Sequence, residues 1–257
     1  MNLLAYEHYA YAALAVFGTL AAVWMVGRFV HSQRGQAAME PYRGVVPPFI
    51  NIIGVLFGLT LAFIGNDTWS SRDRAMDAVF READGLRALL VLADGVPAPV
   101  GPALAGQVRD YGRALVAEWP ALRDRRADPR VTLAADALLA SVAAHWVARA
   151  AGENVQSVML AKAIEVRSER DQRVSLSRTH LNPLKWLGMA FLGLITILSV
   201  AAVHIGAPRA GMAAIWLFAL AAAPSAAIVL VQGNPFQEPA AISPSPITEA
   251  IVPPPPP

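Results

Sequence analysis

Two asparagine side chains, Asn51 and Asn66, stand in an otherwise apolar run and are the polar groups that could contact water or ions there. Plotted at about 100° per residue, they share one helix face with several small residues. Small residues four apart let two membrane helices pack closely, and Gly54, Gly58, Ala62 and Gly65 fit that use. The same face could instead surround a narrow water-filled path. Both alternatives stay open at this point.

Residues suited to catalysis or metal binding do not form a recognisable pattern. The five histidines are scattered without metal-ligand spacing, and no HExxH, GxSxG or phosphate-binding glycine loop occurs. Cysteine is absent, which excludes thiolate nucleophiles, disulfides and cysteine-based zinc sites. The formal charge of +2 gives no support to a nucleic-acid partner. We expect no enzyme activity, no catalytic residue, no metal and no cofactor.

The elements that must position the asparagines are long apolar stretches. Four of them run 20 residues or more without a charged side chain, namely His8–Gly27, Gly44–Asn66, Trp186–Pro208 and Ala210–Gln237. Each can cross a hydrocarbon core of roughly 30 Å as a helix. The chain is also 55% hydrophobic and only 16% charged. The sequence therefore predicts an all-α, polytopic membrane protein with four transmembrane helices.

Charge divides the chain into segments. Seventeen of the 21 Lys and Arg residues and 14 of the 19 acidic residues lie between Ser70 and Lys185. The predicted domains are a first transmembrane helix pair (1–69), a helical extramembrane domain inserted between spans 2 and 3 (70–185), a second transmembrane pair (186–233) and a proline-rich tail (234–257). With eight prolines between Pro239 and Pro257, the tail is expected to be disordered or polyproline II, either as a solvated extension or as a docking segment.

Apolar residues at steps of three and four predict four helices in the middle domain. The first carries the apolar face Met76, Val79, Phe80, Ala83, Leu86 and Leu90. Breaks are expected near Gly95–Pro102, at Glu118–Pro120 and at Gly152, and Asp128-Pro129 is an N-cap pattern for the third helix. The fourth, Asn154–His180, alternates basic and acidic residues, which is typical of a solvated face with pairs Arg167–Asp171 and Glu169–Arg173. An anion vestibule or contact with anionic lipid is the alternative for its arginines.

Positive charges near the spans bear on orientation and on ion attraction. Arg72 and Arg74 follow the second span and form either an interfacial cap or a positive vestibule. The short connections carry Arg28, Arg34, Arg43 and Arg209, and counting these alone places both termini outside. Nine Lys and Arg residues flank the spans within the middle domain, and counting them places that domain and both termini in the cytoplasm. The second count is favoured.

Several short motifs resemble a known family. The run Phe57–Asn66, followed by Arg72 and Glu82-Ala83, is similar to the second span of bacterial bestrophins. Three further segments are similar to an uncharacterised bestrophin-like family of bacterial membrane proteins: Asp110-Tyr111 through Glu118-Trp119-Pro120, Arg170 through Pro183 and Trp186, and Asn234-Pro235-Phe236. One departure is that bestrophins have tandem aromatic residues after the Arg matching Arg72, where this chain has Asp73 and Arg74.

The resemblance implies a homopentamer in the bacterial inner membrane, with an anion path on the fivefold axis lined by the second span. The pore-lining residues are then Asn51, Val55, Gly58, Leu59, Ala62 and Asn66, with Val55 and Leu59 at the narrow neck. The expected partners are the lipid bilayer, other copies of the chain and small anions. The alternative function is a non-transporting membrane scaffold, in which the glycine face packs helices.

Overall fold

The computed structural model describes residues 6–42, 44, 46–178 and 182–252, and every regular element in that part is helical. Eleven α-helices are described: α1 Glu7–Val30, α2 Gln33–Met39, α3 Pro47–Asp94, α4 Val100–Ala117, α5 Trp119–Arg123, α6 Pro129–Ala143, α7 His145–Ala151, α8 Glu153–Arg178, α9 Pro183–Val203, α10 Pro208–Val231 and α11 Ser245–Ile251. A short 3-10 helix, Glu40–Tyr42, follows α2. The all-helical class is as the sequence predicts.

The chain forms two compact units, which we call the apolar unit and the polar unit. The apolar unit contains the described residues of 6–69 and 182–233. The polar unit contains 70–178 and 234–252. Helix α3 contributes its first part to the apolar unit and the rest to the polar unit.

The apolar unit holds the candidate membrane spans. Helices α1, α3, α9 and α10 are each long and apolar enough to cross a bilayer, as expected for the four apolar stretches of the sequence. The bent pair α6 and α7, at 55° to each other, would be a fifth span if counted as one. Large apolar side chains of the unit are exposed, such as Phe17 at 69% and Leu217 at 69%. Such an outward-facing apolar surface is typical of a helix bundle surrounded by lipid.

Small residues in the interior allow the spans to pack closely. A Cβ on Gly27 of α1 would lie 2.8 Å from the sulfur of Met212 on α10. Phe57 on α3 packs against Phe218 on α10, with ring centroids 5.2 Å apart. Buried aliphatic residues such as Val23 and Ile215 complete this core. The interior of the apolar unit is therefore formed by specific contacts between spans.

The polar unit surrounds a second hydrophobic core. Leu86 of α3, Leu104 of α4, Val142 of α6 and Met159 of α8 are fully buried in it. Helix α8 comes so close to α3 that a Cβ on Gly85 would lie 2.4 Å from Cγ2 of Val166. Burying these side chains removes apolar area from water at about 25 cal/mol per Å², which is the main stabilising contribution.

Two helix predictions for the polar unit need correction. Helix α6 begins as expected, with the Asp128 carboxylate accepting the Arg130 N–H at 2.9 Å and Pro129 in the first position. The helix, however, already ends at Ala143, and a short α7 lies between this break and Gly152, whose φ of 86° suits glycine. Phe80 is 52% exposed although the pattern places it on the buried face. It lies one residue beyond Val79, whose side chain takes the core position.

The C-terminal segment differs most from expectation. Residues 234–252, for which proline content predicts disorder, are ordered and pack on the polar unit; we call them the C-terminal strap. Phe236, Ile242 and Ile247 are buried there. Its prolines occupy positions that tolerate them, since Pro246 lies in the first turn of α11. The apolar residues between the prolines pack against the polar unit, which proline content alone does not predict. Pro253–Pro257 lie outside the described residues.

Candidate functional site

The residues predicted to line a pore share one uncovered face of α3. All six are exposed in the single chain: Asn51, Val55, Gly58, Leu59, Ala62 and Asn66. They span an arc of roughly 100° around the helix. The opposite side, with Phe57, Leu61 and Ile64, packs inside the apolar unit. Among the residues that the structure describes, none covers these six side chains.

The glycines of the packing alternative divide into two kinds. Gly65 is buried, and a Cβ there would lie 3.5 Å from Val229 and 3.7 Å from the Trp69 ring. A Cβ on Gly54 or Gly58 would meet nothing within 4 Å. Gly65 therefore contributes to packing inside the chain, whereas Gly54 and Gly58 remain available to something outside it.

Both amides of this face belong to α3, one of the four helices that are long and apolar enough to cross a bilayer. Asn51 and Asn66 are 15 residues apart, a rise of about 22 Å along a helix. That is shorter than the roughly 30 Å thickness of a hydrocarbon core. An amide transferred to hydrocarbon without hydrogen bonds costs several kcal/mol. Water or another protein surface is the favourable surrounding for this face.

The two arginines that follow the second span have different surroundings. Arg72 is half-buried, and its Nε donates to the Ala240 carbonyl of the strap at 3.2 Å. Arg74 is exposed, and it donates to the Ser70 carbonyl and the Ser71 hydroxyl, each at 3.2 Å. Arg72 thus has a structural contact that its sequence position does not reveal.

A buried group of charges lies in the polar unit. We call Glu82, Glu118, Arg170 and Arg173 the ionic cluster; all four are at most 2% exposed. Arg170 binds the Glu118 carboxylate with two nitrogens, at 2.5 and 3.1 Å. Arg173 reaches both carboxylates, with Nε 2.9 Å from Glu82 and Nη2 3.3 Å from Glu118. Such burial of charges is costly unless they are paired, as they are here.

This cluster corrects the interpretation of the fourth polar helix as a solvated face. Arg170 and Arg173 point into the core. Glu169 lies 3.7 Å from Arg81 of α3, and Arg167 lies 2.8 Å from Asp136 of α6, so the side chains pair between helices. Four-residue spacing identified possible partners within α8, but in the folded chain Glu169 and Arg167 pair with residues of other helices.

The surroundings of the two carboxylates differ. Glu118 also accepts the backbone N–H of Asp128 at 2.9 Å, so donors reach both of its oxygens. Glu82 has Arg173 as its partner and shares that guanidinium with Glu118. Burial raises the pKa of Glu82 from 4.5 to about 7, against the opposing effect of Arg173. Burial likewise raises the pKa of the Tyr111 hydroxyl nearby.

Trp119 joins the ionic cluster to the strap. The Arg173 guanidinium lies 4.6 Å from the centroid of the Trp119 ring, and the ring edge meets Phe236 at 5.7 Å between centroids. The indole N–H donates to the Ile242 carbonyl at 2.8 Å. Asn234 donates to the Leu122 carbonyl at 3.2 Å on the same side. Residues from separate sequence motifs therefore meet at one place in the polar unit. They are Glu82, Glu118, Arg170, Trp119 and the Asn234–Phe236 segment.

Sequence reasoning noticed the motif residues but missed their contacts. Glu82, Glu118 and Arg170 were conspicuous as parts of short patterns, and Arg173 follows Arg170 by one turn of α8. Nothing in the helical periodicity shows that they share one interior. In the described part of the chain, no group of three or more His, Asp or Glu residues is arranged to hold a metal ion.

The chain combines four apolar helices and outward-facing apolar side chains with an all-helical polar unit. These features together define a polytopic helical membrane protein. The sequence model of the Bestrophin-like domain matches residues 13–247, which is most of the chain. The chain therefore belongs to the bestrophin-like family, as its motifs indicated. Searches of curated proteins and of solved structures gave no match.

Proposed function

We propose that this protein is an oligomeric channel of the bacterial inner membrane that conducts small anions down their gradient. The path is lined by Asn51, Val55, Gly58, Leu59, Ala62 and Asn66 of several copies around a common axis. A pentamer is the assembly that resemblance to bestrophins implies. Family membership supports the membrane location, and the ion path is our inference.

The observation that carries the proposal is the uncovered Asn51–Asn66 face. A lipid-facing surface would be expected to be apolar and bulky, as at Phe17 or Leu217. This face instead places two amides and the small residues Gly58 and Ala62 beside Val55 and Leu59, and nothing in the described part of the chain covers it. Around a symmetry axis, those small residues would leave space and the amides would contact water.

Anions are the proposed ions because positive charge follows the proposed path. Arg72 and Arg74 lie about two turns beyond Asn66 on the same helix. Their field reaches roughly 8 Å at physiological salt, which is enough to concentrate anions locally. Arg74 is the better placed of the two, since it is exposed, whereas Arg72 is engaged with Ala240.

The test is a matched pair of glycine substitutions. Gly58→Leu places a bulky side chain on the proposed path, and Gly18→Leu places the same side chain on an exposed face of α1. A Cβ at either position meets nothing within 4 Å, so the two positions are equally uncrowded in the single chain. In vesicles reconstituted with each variant, we expect chloride flux to fall about tenfold or more for Gly58→Leu. We expect Gly18→Leu to match the unsubstituted protein.

The outcomes separate the proposal from its rival. An intact oligomer with reduced flux supports a path at Gly58. Loss of the oligomer in Gly58→Leu alone supports the packing use of Gly54 and Gly58 and, with it, the non-transporting scaffold. No halide flux from the unsubstituted protein above empty vesicles, across a range of pH and calcium, would reject the channel.

The scaffold is the second candidate because Gly54 and Gly58 are free to approach another helix. In that function, the α3 face would join copies without leaving a path. Substitution of Gly58 would then change assembly before it changed any flux.

We also propose that the polar unit and both termini are cytoplasmic, following the count of Lys and Arg residues that flank the spans.

A further inference from the structure

The ionic cluster contains one carboxylate that is poorly compensated. Glu118 receives three guanidinium N–H bonds and one backbone N–H bond. Glu82 receives one hydrogen bond, from Arg173 Nη2 at 3.2 Å, and its other oxygen lies 2.9 Å from Arg173 Nε in a geometry too bent for a hydrogen bond. A buried carboxylate with so few donors is costly in its charged form. Glu82 is therefore the weak member of the cluster.

The charged groups that act on Glu82 come from α8 and from the end of α4. Helix α8 provides Arg170, Arg173 and Glu169, of which Glu169 pairs with Arg81. Helix α4 and its end provide Tyr111 and Glu118. The acidic residues of the strap, Glu238 and Glu249, are exposed. Protonation of Glu82 thus changes the net charge of the ionic cluster, in which two carboxylates otherwise balance two guanidiniums.

Two polar groups beside Glu82 lack hydrogen bonds. Nη1 of Arg173 and the hydroxyl of Tyr111 are buried, and neither has a hydrogen-bond partner in the described part of the chain. Water entering here would satisfy both and would solvate an ionised Glu82. The Trp119 ring lies over the Arg173 guanidinium, and the strap contacts that ring through Ile242 and Phe236.

We propose that Glu82 is a proton-binding site that controls the C-terminal strap, which stays docked while Glu82 holds a proton and loosens when Glu82 ionises. The direction follows from linkage. The docked state keeps Glu82 dry and favours its neutral form, so this state binds the proton more tightly than a hydrated, loosened state does. Proton uptake therefore stabilises docking, and proton loss weakens it. The inference is independent of the proposed ion path.

The test measures the strap directly. Because the chain has no cysteine, Gln107→Cys on α4 and Thr248→Cys on α11 give a unique pair of exposed sites for spin labels. Pulsed dipolar spectroscopy in detergent or nanodiscs then reports the distance between helix and strap at about pH 5.5 and about pH 8.5. Between these values the ionised fraction of a group with a pKa of about 7 rises about thirtyfold.

We expect one narrow distance at the lower pH and a second, longer population at the higher pH. Glu82→Gln is a neutral isostere and should stay narrow at both. Glu165→Gln changes a half-exposed carboxylate that pairs with Lys162, and it should keep the shift of the unsubstituted protein. Gly112→Val provides the reference for a displaced strap, since its side chain would clash with Ile251.

Two results would overturn the inference. A distance that does not change with pH in the unsubstituted protein would show that no proton controls the strap. A pH shift that persists in Glu82→Gln would assign the control to another group. If Glu82→Gln failed to fold, Glu82→Met, an apolar side chain of similar volume, would make the same distinction. Since the readout is a distance and not an ion flux, its failure leaves the proposed channel untouched.

Discussion

At the residue scale, the buried charges of the polar unit are unequal in their consequences. Glu118 is the acceptor that joins Arg170, Arg173 and the backbone of Asp128. Removing its charge leaves two guanidiniums in a dry interior with Glu82, whose neutral form burial favours, as the other carboxyl group of the cluster. Breaking a buried pair on one side is far more costly than losing an exposed pair.

We therefore expect Glu118→Gln to lower the free energy of unfolding by about 3 to 5 kcal/mol. The control is Asp110→Asn on α4, whose ion pair with Arg113 is largely exposed and three residues away. That change should cost no more than about 0.5 kcal/mol. Thermal unfolding in detergent, followed by tryptophan fluorescence, compares them. Equal loss from both would contradict the buried position of Glu118.

The pKa of Glu82 predicts the sign of a pH effect. Between its usual value of 4.5 and the raised value of about 7, the folded chain holds a proton that the unfolded chain has released. The contribution of Glu82 to stability is therefore fully present below pH 4.5 and falls as pH rises to about 7. Over this interval we expect the unfolding midpoint of Glu82→Gln to fall less with pH than that of the unsubstituted protein. Parallel curves would contradict the burial of Glu82.

At the scale of elements, α4 is the helix on which the end of the strap rests. Gly112 faces α11 so closely that a Cβ there would lie 2.4 Å from Cγ2 of Ile251. Gly106, one and a half turns earlier on the same helix, has open space around it. The two glycines thus have the same backbone context but different neighbours.

We expect Gly112→Val to displace α11, whereas Gly106→Val leaves it docked. Both changes carry the same small penalty of a β-branched residue in a helix. A protease should cleave the strap near Thr248 at least about tenfold faster in Gly112→Val, because local opening exposes the strap. Equal cleavage rates in the two variants would mean that the strap adjusts to the larger side chain while it remains docked on α4.

Helix α3 combines two kinds of surface along its length. Its first part has one side packed in the apolar unit and an exposed side that carries Asn51 and Asn66 together with small and large apolar residues. Its later part is buried by α8 at Gly85 and pairs with it through Glu82. Hydrophobic periodicity predicted the helix, yet it did not distinguish a face covered by its own chain from one that needs another partner.

At the scale of the whole molecule, the proposal requires a shared axis. The exposed Asn51–Asn66 face of one copy would be covered only if other copies surround it. We expect native mass spectrometry of protein released from nanodiscs to show a pentamer. A single monomeric species under the same conditions would leave this face in contact with lipid and would remove the basis for a central path. A dimer would favour the packing use of Gly54 and Gly58.

How much could be predicted from the sequence differed between the two units. The spans, their number and the family were predictable, since about 20 apolar residues in a row are a local property that a bilayer requires. The N-cap at Asp128 was predictable for the same reason, as capping depends on neighbours within one turn. The disorder expected for the tail was wrong for residues 234–252, because composition counts prolines and ignores where their neighbours pack.

By itself, the sequence determined that the chain must be helical and must lie in a membrane, since hydrogen bonding and hydrophobic length act over short distances. Only the tertiary structure decided that Glu82 meets Arg173, 91 residues away, and that Glu118 meets Arg170, 52 residues away. The same holds for Trp119 and Ile242, which are 123 residues apart. Such contacts depend on which helix faces meet in the folded chain, and helical periodicity alone does not determine that.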